Sequence, residues 1–265
     1  MKHLKPILTA LVISVTFLFS CKTKDVEGTG NSCKLVKSYF YDVSGGGAVA
    51  DSVRYTYTGN LITKVQLGSG DHYTLQYNGE YVTRQNNFSG ASSTTPSDFL
   101  QVTYNADNTI QKVENHEKAS TGYVLSYRTD FSYTAGKIVK ITSFEITNNV
   151  AKKAEEYTYT YTGENITKAS YIEFSTGDTD QMSFTFDNTT NYFKKQNMQL
   201  LFTDPYLASD GLSVPLIMSA NNAATITYPG VPVPIPLTYQ TDDKKNVTML
   251  KVNNQPTLSY SYQCQ

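Results

Sequence analysis

Tyr55-Thr56-Tyr57-Thr58-Gly59-Asn60-Leu61-Ile62-Thr63-Lys64-Val65 decides the fold, because the chain repeats its grammar almost to the end. An aromatic-x-aromatic triplet leads through a short polar turn into apolar-x-Lys-apolar. Period-two alternation marks a strand with two unlike faces, and Thr-Gly or Asn-Gly between two such strands marks a tight hairpin. The phrase returns as Leu75-Gln76-Tyr77, turning at Asn78-Gly79 into Tyr81-Val82-Thr83-Arg84. Val102-Thr103-Tyr104 leads into Ile110-Gln111-Lys112-Val113, and Phe131-Ser132-Tyr133 turns at Ala135-Gly136 into Ile138-Val139-Lys140-Ile141. Tyr159-Thr160-Tyr161 turns at Thr162-Gly163 into Ile166-Thr167-Lys168. Phe184-Thr185-Phe186, Leu237-Thr238-Tyr239 and Tyr260-Ser261-Tyr262 are later copies.

The second aromatic recurs every 20 to 29 residues (Tyr57, Tyr77, Tyr104, Tyr133, Tyr161, Phe186), which fits one long hairpin per repeat. The fold class is therefore all-β: a long antiparallel meander of repeated hairpins, forming a strongly curved sheet or a soluble barrel-like fold. If Tyr57 pairs across its turn with Ile62, simple alternation pairs Tyr55 with Lys64. One face would then carry both tyrosines, Ile62 and Lys64, with the rings covering the lysine stem. Thr56, Thr63 and Val65 would share the other face.

The phrase breaks off near 189–236, so a mostly irregular insert is expected there. Within it, Phe193 to Phe202 could form a short helix stopped by Asp204-Pro205. Leu207, Leu212, Leu216 and Ile217 supply an apolar segment able to cap an open sheet end; a ligand-gating loop is the alternative. Pro232, Pro234 and Pro236 remove amide donors from one side of their strand, which predicts that it ends a sheet or sits at an unpaired segment.

Composition narrows the function classes. With 22 Lys and Arg against 23 Asp and Glu, the formal charge is −1, so no basic surplus drives nucleic-acid binding. Twenty-one tyrosines and no tryptophan, with abundant threonine, favour strands. His72 and His116 are the only histidines after His3, no Cys-x-x-Cys exists, and no Gly-x-Ser-x-Gly offers a nucleophile. Asp178 and Asp180 could hold a cation weakly but read better as turn residues. Glu155 and Glu156 point to opposite faces of one strand. The sequence implies no catalytic residue, no metal and no cofactor.

The N-terminus states a location. Lys2 and Lys5 precede an apolar run from Ile7 to Phe19, too short for a spanning helix, as in a secretory signal peptide. Leu18-Phe19-Ser20-Cys21 resembles a bacterial lipobox, which implies that Cys21 carries lipid and heads the mature chain. The expected organisation is a signal peptide over 1–20, a lipidated tether over 21–32 and a single all-β domain over 33–265. In an oxidising envelope compartment, Cys33 and Cys264 are then either a disulfide tying first strand to last or two buried free thiols. A loop that long gives roughly 5 kcal/mol by chain entropy.

The lipobox, the Tyr-x-Tyr/turn/Ile-x-Lys phrase, the Asn221-Asn222 step and the closing Tyr260-Ser261-Tyr262-Gln263-Cys264 together resemble a group of Bacteroidota lipoproteins of unknown function with a porin-like fold. The hairpin phrase is also distantly similar to the tyrosine-aspartate repeats of shell-forming toxins, but their Tyr-Asp-x-x-Gly-Arg core is missing here. The family resemblance implies a β-scaffold at the outer membrane, lipid-anchored. Lys22-Thr23-Lys24-Asp25 lacks an acidic export run, which favours the periplasmic face over the cell surface. Lys64, Lys140 and Lys168 would be costly in a lipid-facing wall, so a pore is not implied.

The expected function is a non-catalytic envelope lipoprotein that binds or organises something. Its partners are the membrane, through the lipid, and a glycan, lipid or envelope protein. The candidate ligand-facing aromatics are Tyr57, Tyr77, Tyr133 and Tyr161, since rings stack on sugars; the same rings could equally serve to hold the sheet together. Asp51-Ser52-Val53 resembles the O-glycosylation site of Bacteroidota envelope proteins, with Ser52 as acceptor. The alternative is a periplasmic carrier or chaperone for a lipid or polypeptide, and a glycan hydrolase comes last.

Overall fold

The structure, a computed structural model, describes residues 33–42, 48–191 and 214–264. Sixteen antiparallel strands follow one another in sequence order and close into a barrel. They are β1 (Cys33–Tyr41), β2 (Val49–Thr58), β3 (Leu61–Leu67), β4 (His72–Asn78), β5 (Tyr81–Phe88), β6 (Asp98–Tyr104), β7 (Ile110–Ala119) and β8 (Gly122–Thr134). The second half comprises β9 (Lys137–Thr147), β10 (Val150–Thr162), β11 (Asn165–Glu173), β12 (Thr179–Thr190), β13 (Asn221–Thr227), β14 (Ile235–Thr241), β15 (Val247–Val252) and β16 (Gln255–Cys264). One short helix, α1 (Val214–Met218), precedes β13. The meander expected from the repeats is thus complete, and it closes on itself.

One irregularity recurs and sets the pattern of the wall. Tyr57 pairs with Ile62, but Thr56 pairs with Lys64, so Thr63 is an extra residue. The same one-residue bulge falls on Thr83, Gln111, Val139, Thr167 and Thr248, each lying between consecutive register pairs. In four of these the threonine hydroxyl lies 3.3–3.4 Å from a carbonyl of the partner strand: Thr56, Gln76, Thr160 and Gln240. A bulge places two residues opposite one and re-aims the chain beyond it. Residues three apart, such as Ile62 and Val65 or Ile138 and Ile141, therefore both face inward and are at most 2% exposed.

Two expectations change accordingly. Tyr55 pairs with Val65, not Lys64, and Val65 joins the core rather than the threonine face. Lys64 sits outside opposite Thr74, so the tyrosines do not cover it. Strict alternation failed because it has no place for the extra residue.

The turns that close each repeat are tight. Gly59 and Gly163 open two-residue loops at φ 58° and 59°, a left-handed conformation that costs glycine nothing. Those loops, the start of β1, the end of β16 and α1 gather at one end of the barrel, the base. Opposite it is the mouth, where β7–β8 and β9–β10 turn; Asn148 and Asn149 make the latter turn with φ 51° and 62°.

Open sixteen-stranded barrels of the porin type enclose a watery lumen. Here every strand contributes inner side chains to a single buried cluster, so the lower part of the tube is filled. Leu35, Ile62, Leu100, Ile138, Ile141, Ile166 and Met182 are its most completely enclosed large members. Val214, Pro215, Leu216 and Ile217 of α1 are buried at the base against β11 and β13. Asn191, fully buried, donates from Nδ2 to the carbonyls of Leu216 and Ser219 at 2.9 and 2.8 Å. Ser219 Oγ accepts from the Ile166 amide at 3.0 Å, which latches the plug to the wall.

The insert is shorter than its 189–236 expectation, since β13 lies within it and β12 runs on to Thr190. Asn221–Thr227 uses alanine and isoleucine where other repeats use aromatics, so a reading keyed to rings passes over it. The helix expected over Phe193 to Phe202, together with Leu207 and Leu212, lies outside the described residues. The prolines do not end the sheet but meet the other expectation: Pro232 and Pro234 lie between β13 and β14, outside any strand. Pro236 pairs with Thr225, but β13 and β14 share only that pair and Ile226 with Ile235.

Candidate functional site

The four tyrosines singled out in the sequence line up near the base, each half-buried beside the core. Tyr57, Tyr77 and Tyr161 donate their hydroxyls to the carbonyls of Leu35, Ile62 and Ile138 at 2.8, 2.7 and 2.9 Å. Tyr133 makes the equivalent bond to the Ile110 backbone. Tyr104, Tyr239 and Tyr262 repeat the contact on Val82, Ala223 and Val247. The second aromatic of each repeat thus fastens its hairpin to an earlier one. Burial pushes the Tyr77, Tyr104 and Tyr133 hydroxyls well above the usual phenol range and raises Tyr161 to about 12.

The outer wall is polar. Lys64, Lys140 and Lys168 face out among threonines and serines: Thr74, Ser132, Thr158, Thr160 and Ser183 are their cross-strand neighbours. Lys112–Glu114 at 2.8 Å, Arg128–Asp130 at 3.1 Å and Lys153–Glu156 at 3.2 Å add ion pairs there. Both histidines belong to this wall. His72 stacks on Phe88 and His116 on Phe99, each at 4.6 Å between ring centres. Burial, with help from nearby lysine or arginine, lowers both of their pKa values and favours the neutral ring. They stand three strands apart and form no joint site. Ser52 also faces outward, opposite Tyr39, with its amide on the Asp51 carboxylate at 2.6 Å.

Chemistry concentrates on the inner wall near the mouth. β8 and β10 run for 13 residues and β12 for 12, whereas β3, β4, β13 and β14 have 7. At about 3.3 Å per residue the long strands rise roughly 20 Å further along their own direction, forming a raised lip. Its inner face begins where the apolar core stops, at buried Thr129 and Ser143, whose hydroxyls are 3.3 Å apart. Above them Glu155 pairs directly with Glu173, Tyr127 with Glu145, and Tyr171 with Asp180. Asp98 pairs with Glu117 further round. Lys152, opposite Glu145, is the one base facing inward on this lip among the described residues.

The groups sense one another. Tyr171 Oη lies 3.3 Å from Glu155 Oε1, and burial plus the Glu155 and Glu173 charges hold that phenol well above its usual range. Tyr127 is pushed up to about 12, by burial first and then by Glu155 and Glu145, with a Ser143 hydrogen bond opposing. Among the described residues no group of three or more His, Cys, Asp or Glu has metal-holding geometry, and Asp178 and Asp180 are no exception.

Sequence reasoning missed this lip. Glu155 was correctly separated from Glu156, which faces out toward Lys153 and Thr142. Its true neighbour Glu173 is 18 positions away, and only the β10–β11 register, shifted by the bulge at Thr167, brings them together. Cys33 and Cys264 face each other across the β1–β16 closure as a disulfide with Cα atoms 3.9 Å apart. Cys21 lies outside the described residues.

The fold and wall define a closed, all-β barrel with an apolar filling. Proteins of known structure resemble it in fold. A porin-like protein from Bacteroides uniformis ATCC 8492 aligns over 90% of this chain and 93% of that one, with 12% identity and a TM-score of 0.50. A porin-like protein from Bacteroides vulgatus ATCC 8482 aligns over 86% and 98%, with 11% identity and a TM-score of 0.50. At such identities the likeness is one of fold, and it meets the porin-like expectation at that level. No family model and no curated protein matches the chain.

Proposed function

We propose that this chain is a non-catalytic lipoprotein of the bacterial envelope. A lipid on Cys21 holds it at the outer membrane, facing the periplasm, and its barrel stands in water as a binding or structural scaffold. One observation carries the reading: the wall is charged outside and apolar inside, the reverse of a membrane-spanning barrel. A lysine or arginine at the lipid-facing midplane costs about 2–4 kcal/mol, so a wall bearing Lys64, Arg84, Lys112, Arg128, Lys140 and Lys168 is built for water.

Palmitate labelling and fractionation of the full-length chain test this. Labelled wild type should enter the membrane fraction, and Cys21→Ala should be unlabelled and released by an osmotic shock. Retention of Cys21→Ala in the membrane after a high-pH wash would overturn the proposal, because the barrel itself would then be inserted.

A carrier role is the second reading, resting on the inner face of the lip, where Glu145 and Lys152 are exposed. Its carboxylates suit a polypeptide better than a lipid tail. A glycan meeting Tyr57, Tyr77, Tyr133 or Tyr161 would find hydroxyls already committed to the backbone, leaving ring surface alone for stacking.

A further inference from the structure

We propose that the outer wall from β1 to β5 is the docking surface for an anionic polysaccharide; the inference deepens the scaffold reading by naming its partner class, and rests on it. Charge is unevenly placed around the barrel. Every acidic residue of the described strands lies on β6–β12, apart from Asp51 on β2. From β13 round the closure to β5 the strands carry Lys34, Lys37, Arg54, Lys64, Arg84 and Lys251. Asp51 stands opposite buried Phe40 and so turns inward. The other acids of this side, Asp42, Asp71, Glu80, Asp242 and Asp243, lie beyond the strand ends at the two rims, beside Lys244 and Lys245.

Register sets the cations in line. Ser261, Lys37, Arg54, Gln66, His72 and Phe88 are successive cross-strand partners on the outside, from β16 to β5. With about 4.8 Å between strands, this row runs roughly 24 Å. Thr56, Lys64, Thr74 and Asn86 form the next row toward the base, and Arg84 follows opposite Gln76. Lys37 and Arg54 are like charges placed directly opposite, which a sheet does not favour. Lys37 Nζ lies 4.3 Å from the Tyr39 ring centre, and Arg54 is exposed. Arg84 donates from Nε to Asn86 Oδ1 at 2.8 Å and lies 3.5 Å over the Phe99 ring, which fixes it on the wall. None of the ion pairs among the described residues involves Lys37, Arg54, Lys64 or Arg84.

A fixed array of cations complements a partner with many spaced anions. The surface between them selects which kind. It is made of hydroxyls and amides, and the exposed large hydrophobics of this side, Val49 and Val233, lie at a strand end or beyond one. A protein interface would need an apolar core there. A flat bilayer meets a convex wall along a few strands only. A chain of acidic sugars follows the curvature, exchanges hydrogen bonds with the threonines and glutamines, and stacks on the rings of Tyr39 and Phe88.

The test uses the full-length chain in a neutral detergent and a fluorescein-labelled galacturonate decamer. Saturable binding that weakens as salt rises is expected. R54Q/K64Q should weaken it about tenfold and K37Q about threefold. R54K/K64R, which keeps both charges, and K168Q, on β11, should bind as the wild type does. Circular dichroism and the fractionation above, run on the same samples, read a lost barrel or anchor apart from a lost docking surface. Absence of saturable binding to a folded, anchored chain would overturn the proposal. So would equal binding by R54Q/K64Q, or an equal loss in K168Q. Binding of polyglutamate or of anionic phosphatidylglycerol vesicles as tight as that of the decamer would also overturn it, by assigning the surface to a protein or a membrane.

Discussion

Glu155 pairs directly with Glu173 across β10 and β11, both side chains turned into the barrel. The two carboxylates repel at neutral pH, so Glu173→Gln should stabilise the protein and Glu173→Lys should do so further. Cross-strand pairs of this kind are worth about 0.2–1 kcal/mol. Urea unfolding of the two variants checks the sign; a loss of stability in both would mean that the pair is already compensated.

Tyr77 and Tyr161 fasten separate hairpins through single hydroxyls. Tyr77→Phe and Tyr161→Phe should each cost about 1 kcal/mol, the net worth of one hydrogen bond. The double variant should show the sum, since the sites share no partner. Denaturant midpoints measure both.

Asn191→Ala leaves the carbonyls of Leu216 and Ser219 without their buried donor. About 2–3 kcal/mol should be lost. Limited proteolysis should then cut near α1 well before global unfolding, whereas the wild type should resist there.

Alkaline titration has a fixed sign. Tyr127 and Tyr161 ionise near 12 when folded and near 10 when unfolded. A raised pKa means that the folded state favours the protonated phenol. This stabilisation is complete below pH 10 and is lost as the pH climbs toward 12. Unfolding should therefore steepen over that window, with delayed phenolate absorbance. Tyr127→Phe should flatten the fall.

The repeat was legible because its chemistry is local. Tyr-x-Tyr, Thr-Gly and Ile-x-Lys each report the conformation of their own few residues, and the hairpins followed directly. Facing was less legible. Whether Val65 sits with Ile62 or opposite it turns on one extra residue, and nothing in Ile62-Thr63-Lys64-Val65 announces a bulge except its recurrence. Closure was hidden for another reason: Pro232, Pro234 and Pro236 do weaken a junction, but two register pairs suffice to bridge it. The lip was the least legible feature, because Glu155 and Glu173 become neighbours only once two strands have taken their register.

The Cys33–Cys264 bond has a mechanical meaning. A pull on the N-terminal segment reaches the barrel at Cys33, the first residue of β1, where the ladder would otherwise peel open one hydrogen bond at a time. The disulfide hands that load at once to the last strand, 231 positions away along the chain. Tension then acts on both sides of the closure together, and the barrel meets it as a ring rather than as a zipper.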